Sequence, residues 1–139
     1  MKEVKQYGIN DGYWVSESEV LPNTKWVVVW YESHSEYEGD GVAIAKVGRG
    51  EYYWANLGHC SCYGPLDEPD DAWGKIGDYR ALLHALEFDE NIEGRRRDPK
   101  DHDYKMYAAV LRQVKKIHKQ ERRTLDNRRK RKAERDAAV

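Results

Sequence analysis

The sequence predicts an α+β fold: a small antiparallel β-sheet, a helix packed on it and a long basic C-terminal helix. Three observations lead there. Short β-branched and aromatic runs fill the first half of the chain, an apolar periodicity of the helical kind begins after residue 78, and no glycine or proline follows Pro99. With 139 residues the chain has room for one domain with a modest core.

The elements follow in order. Tyr13 to Val20 reads as a weak strand, ended by Leu21-Pro22-Asn23. Lys25 to Tyr31 is almost wholly apolar and β-branched or aromatic, as a central strand requires. Glu32 to Asp40 is polar and acidic and reads as a loop. Gly41 to Val47 and Glu51 to Leu57 are two further strands, joined by Gly48-Arg49-Gly50, a turn with the glycines a hairpin needs. The expected core is a short antiparallel meander. After the glycine- and proline-rich stretch 58–69, Asp78 is a good N-cap, and Tyr79, Leu82, Leu83 and Leu86 recur on one helical face. A break falls at 91–94. The last helix is expected to start with Asp98 as N-cap and Pro99 at its first position, where the missing N–H costs nothing. Its apolar stripe is Tyr104, Tyr107, Leu111 and Val114, with Val110 and Ile117 close by, and beyond it Leu125 stands among charges. The first half of this helix should pack on the body and the second half project. These signals divide the chain into an acidic α+β body over 1–97 and a basic helical tail over 98–139.

Charge is the most informative feature. Overall the chain carries −1, yet residues 1–94 hold 7 Lys and Arg against 18 Asp and Glu, a net −11, and residues 95–139 hold 17 against 7, a net +10. Such a segregation marks an interaction tail on a differently charged body. A basic helix with few apolar residues cannot stabilise itself by burial, whereas phosphates would neutralise it and release counterions. Arg122, Arg123, Arg128, Arg129, Lys130, Arg131 and Lys132 are the candidate phosphate contacts. The other charge cluster is acidic: Glu32, Glu36, Glu38 and Asp40 in one stretch, Asp67, Glu68, Asp70 and Asp71 in another. Carboxylates spread over a surface can imitate a phosphate backbone and meet a protein partner, and they equally serve as a solvated surface.

The longest wholly apolar stretch, Trp26 to Tyr31, is far short of the roughly 20 residues a membrane-spanning helix needs. The N-terminal residues lack the apolar stretch of a secretion signal, and the only two cysteines, Cys60 and Cys62, are spaced poorly for a disulfide. The expectation is a reduced cytoplasmic protein. His59, Cys60 and Cys62 are donors of the zinc-binding type, with His34 or Asp40 as further ligands. Cys-x-Cys without a second pair is not the spacing of structural zinc sites, and the segment reads as a structural turn with no metal or other cofactor. No phosphate-cradling glycine loop, Ser-His-Asp set or His-Glu-x-x-His helix is present, so a non-enzymatic protein is expected.

The run Tyr52-Tyr53-Trp54-Ala55-Asn56-Leu57-Gly58-His59-Cys60-Ser61-Cys62-Tyr63-Gly64-Pro65 resembles a segment of small uncharacterised bacteriophage proteins that share its aromatic strand and Gly-His-Cys-Ser-Cys-Tyr-Gly-Pro turn. The resemblance implies a viral protein acting in a bacterial host's cytoplasm and assigns no role to any residue. Two functions are thus expected from the sequence. One is a phage-type binding protein whose basic C-terminal helix contacts nucleic acid or an acidic host surface. The other is a protein–protein inhibitor of a host enzyme or defence complex, using the acidic, aromatic-rich body, DNA mimicry included. Pairing of the long helix with a second copy stays open, although its heptad-like stripe ends early.

Overall fold

The computed structural model describes residues 4–11, 15–35, 38–60, 72–89 and 92–138, with the backbone alone for His59 and Cys60. Its elements are β1 (Lys5–Asn10), β2 (Thr24–Ser33), β3 (Glu38–Val47), β4 (Glu51–Asn56), β5 (His59–Cys60), β6 (Gly74–Gly77), α1 (Tyr79–Glu87) and α2 (Tyr104–Ala137). The fold is α+β. The sheet runs in the order β1-β2-β3-β4-β6, with β5 pairing with β3 beyond the end of β4. All pairings are antiparallel except β1 with β2.

The predicted meander is the centre of this sheet. β2 pairs with β3 through Val28 opposite Ile44, and β3 with β4 through Ala43 opposite Ala55. Gly48, at φ 59, makes the tight turn between β3 and β4, a left-handed conformation that costs glycine nothing. The acidic segment expected as a loop is mostly strand. Glu32 and Ser33 extend β2, and Glu38 to Asp40 begin β3, with Glu32 directly opposite Asp40. Gly39 permits this, because a Cβ there would collide with the Tyr31 side chain.

Three strands escape a reading of the sequence: β1, β6 and the two-residue β5, which lies in the stretch expected as a turn. β1, Lys-Gln-Tyr-Gly-Ile-Asn, is polar and broken by glycine, but Tyr7 and Ile9 alternate onto the helix-covered face beside Val28 and Trp30. Its parallel pairing demands a crossover of about a dozen residues, and the chain between β1 and β2 supplies it. Within that crossover the expected strand over Tyr13 to Val20 does not form in its described part, and Tyr13 lies outside the described residues. Glu17–Glu19 is a 3₁₀ turn instead, closed by a capping box in which the backbone N–H and hydroxyl of Ser16 both donate to Glu19 Oε1 at 2.9 Å. β6 is four residues with a glycine at each end, and local propensity does not favour it.

The sheet is buried on both faces. One face, with Trp26, Val28, Val42, Ile44 and Tyr52, is covered by both helices. The other, with Val27, Val29, Ala43, Ala45 and Ala55, is covered by Val15, Val20 and Leu21 of the crossover and by Trp73, whose indole N–H donates to the Glu19 carbonyl at 2.9 Å. α1 starts as predicted: Asp78 accepts from the Ala81 N–H at 2.9 Å. At its other end Arg97 donates to the carbonyls of Ala85 (2.8 Å) and Leu86 (3.1 Å) and lies 3.5 Å over the Tyr107 ring, tying α1 to α2.

α2 begins at Tyr104, not at Pro99. Asp98 and Pro99 open a tight turn: the Asp98 carboxylate accepts from the Lys100 N–H at 3.0 Å, and its carbonyl accepts from the Asp101 N–H at 2.9 Å. An aspartate that caps turns as readily as helices leaves the true start to tertiary packing. The buried line of α2 is Met106, Val110, Val114 and Ile117, with Tyr107 and Leu111 half-buried at its side. The stripe is rotated away from the tyrosines because a phenol keeps its hydroxyl near water. Core truncation by Leu82→Ala or Ile117→Ala should destabilise by about 2–5 kcal/mol in urea unfolding. Leu125→Ala, at a site 47% exposed, should stay within about 0.5 kcal/mol. A large loss at Leu125 would mean that the distal helix is packed.

Candidate nucleic-acid interface

Absence of glycine and proline after Pro99 lets α2 run for 34 residues, about 51 Å at 1.5 Å per residue. Its apolar stripe anchors only the first half. The last attachments to the body cluster within one turn. The His118 imidazole stacks on the Tyr79 ring with centroids 3.7 Å apart, and Lys46 Nζ pairs with Glu121 Oε2 at 2.9 Å. One turn earlier Lys115 meets Glu87 of α1 at 3.5 Å. From Arg122 to Ala138 every residue is exposed, and among the described residues no ion pair joins this stretch to the body. A free helical arm of about 24 Å results.

Of the sequence-predicted phosphate contacts, Arg122, Arg123, Arg128, Arg129, Lys130, Arg131 and Lys132 all lie on this arm and all are exposed. Arg135 belongs with them. The same helical count carries a second basic row back along the anchored half, where Arg112, Lys116 and Lys119 are exposed on the side away from the sheet. Between 122 and 138 the arm holds eight Lys or Arg against three Asp or Glu, a net +5. It stays helical because the packed half supplies the nucleus and the distal residues need only propagate it. Pairs such as Arg122 with Asp126 and Lys130 with Glu134 favour the helix at i,i+4, while Arg128 with Lys132 and Arg131 with Arg135 oppose it. Polyanion binding would remove the opposing part.

Of the acidic candidates, three fall on described residues, and two of these, Glu32 and Asp40, sit directly opposite each other. Glu32 and Glu38 are exposed on β2 and β3, and Asp40 is half-buried. Glu36, Asp67, Glu68, Asp70 and Asp71 lie outside the described residues, as does Cys62. The backbone of His59 and Cys60 pairs with Gly39 and Glu38 as β5, beside Asp40. A different set of metal-type donors converges nearby. Asp40, His102 and Asp103 bring one ligand atom each within 4.8 Å of one another, at the turn that starts α2. Between sheet and helices a cavity of about 130 Å³ is lined by Val42, Ile44, Trp54, Ile76 and Leu86, with Arg97 committed to the α1 carbonyls at its edge.

Where the arm leaves the body, burial sets the ionisation of three groups. Tyr52 is pushed up to about 12, first by desolvation and then by the Glu121 carboxylate and Tyr79. Tyr79 is raised for the same two leading reasons, burial and Glu121. His118 is lowered, mainly by burial, with Glu121 opposing and Arg122 and Lys46 reinforcing the shift. A histidine whose folded pKa lies below its unfolded value near 6.5 contributes stability that is present above that value and is lost as pH falls through the folded pKa. The melting temperature should therefore drop below about pH 6.5, and His118→Phe, which keeps the stack on Tyr79, should flatten that part of the profile. An unchanged slope in the variant would show that His118 is not the titrating group. Compared with known proteins, the chain matches no family model, no curated protein and no solved structure.

Proposed function

We propose that this is a non-enzymatic binding protein whose C-terminal helical arm holds nucleic acid. The carrying observation is the arm itself: a helix exposed from Arg122 onward, net +5, with no ion pair to the body among the described residues. A strongly basic segment that the fold leaves unneutralised gains most from a polyanion, since each phosphate contact releases condensed counterions. The body's part is to hold the helix start rigidly, through the stripe from Met106 to Ile117, so that the arm is presented at a fixed angle. The net −11 of residues 1–94 repels phosphate and favours contact through the arm alone. The turn resembling bacteriophage proteins supports a bacterial setting for this activity.

Arg128→Ala combined with Arg129→Ala should weaken binding by a similar factor for every oligonucleotide sequence. It should also reduce the slope of log affinity against log salt by about 2. Fluorescence anisotropy with labelled oligonucleotides over a salt series measures both. Because both side chains are exposed, the variant's stability should match the parent within about 0.5 kcal/mol. Undiminished binding and an unaltered slope would contradict the proposal.

A further inference from the structure

The cations of the arm are not scattered evenly around its axis. With about 100° per residue and Arg122 as zero, Arg122, Arg123, Arg129 and Lys130 fall within roughly 60° of a direction near 40°. Arg128, Arg131, Lys132 and Arg135 fall within about 50° of a direction near 230°. The helix thus carries two cationic flanks on nearly opposite sides, all exposed. Asp126, Ala133 and Ala137 sit within the first flank and Thr124 within the second. The seams between the flanks hold no cation: Asn127, Glu134 and Ala138 form one, Leu125 and Asp136 the other.

Opposed flanks discriminate between polyanion shapes. A single strand laid along a helix, or a flat anionic surface, meets one flank and leaves the other in solvent. A duplex groove with a phosphate wall on each side meets both. The major groove of B-form DNA is about 12 Å wide and admits an α-helix, itself about 10–12 Å across with its side chains. The major groove of A-form RNA is deep and narrow and does not. An arm reaching about 24 Å beyond the body is long enough to lie in such a groove without the body entering it. The body-facing line of α2, through Val110, Val114 and Ile117, continues into the second flank, so the first flank is turned away from the body and the two seams lie to its sides. Of the two lateral seams, the one with Asn127 lies about 100° from the body-facing line and the one with Leu125 about 60°, so the Asn127 seam is the better placed to face the groove floor.

We infer that the nucleic acid held by this arm is B-form duplex DNA, entered through the major groove with one cationic flank on each phosphate wall. The inference rests on the nucleic-acid reading and narrows it to one partner. The test compares three labelled probes of equal sequence at about 150 mM salt, duplex DNA, duplex RNA and single-stranded DNA, against the full chain and two variants. One variant replaces Arg122, Arg123, Arg129 and Lys130 by Gln, and the other replaces Arg128, Arg131, Lys132 and Arg135 by Gln. Glutamine keeps helix propensity, and circular dichroism checks that the helix persists.

Groove seating predicts duplex DNA bound at least about tenfold more tightly than either other probe. It also predicts that each variant lowers the salt slope by a similar amount, up to about 3.6 for four phosphate contacts. Equal affinity for all three probes, or a loss confined to one variant, would overturn the groove inference while leaving nucleic-acid binding intact. No binding to any probe would overturn the underlying reading as well.

Discussion

Met106, Val110, Val114 and Ile117 seat the C-terminal helix on the sheet, and their spacing of four, four and three keeps them on one line of it. Full burial of each contributes about 1.5–3 kcal/mol, and together they supply the ordered turns from which the rest of the helix grows. The line ends at Ile117. One turn later Lys46 and Glu121 form the last ion pair with the body among the described residues, and every residue from 122 to 138 is exposed. Beyond Glu121 no described residue of the body holds the helix by an ion pair or a buried contact, and its direction is inherited from the packed half. The exposed arm follows from that one boundary.

Charge segregation along the chain becomes segregation in space for the same reason. Had the apolar stripe continued, the basic residues would have been drawn over the acidic body and neutralised within the molecule. Instead the sheet buries both its faces under the helices, the crossover and Trp73, without drawing on the arm. The cations are therefore left to solvent. The polar groups at the exit, Tyr79 against His118 and Lys46 with Glu121, hold the helix at the rim without extending the core.

Much of this arrangement is legible in the sequence, and what is not has identifiable causes. The β3–β4 hairpin is announced by two glycines around Arg49, and α1 by Asp78, because turn and cap chemistry act over a few residues. β1 is hidden because its pattern is polar and broken by Gly8; only pairing beside an already formed β2 makes it a strand. β6 is hidden for a related reason, a glycine at either end and Trp54 of its neighbour to pack on. Ser16 and Glu19 did carry a readable capping-box signal, and the weak alternation around them masked it. Asp98 and Pro99 suit a turn and a helix start equally, so the first helical turn depends on where Met106 meets the sheet. For the candidate site, composition alone points to the basic residues. Their grouping into two flanks, and the exclusion of the body from them, require knowing that the helix is continuous and where its packing ends.

On the proposed function, residues 122–138 are an arm free of their own body that a polyanion orders further. Backbone amide hydrogen exchange, read residue by residue with and without a short DNA duplex, tests it most directly. The account predicts strong protection over 106–117 in both states, weak protection over 122–138 in the free protein, and a marked gain over 122–138 alone on adding DNA. Protection of 122–138 equal to that of 106–117 in the free protein, and unmoved by DNA, would contradict it.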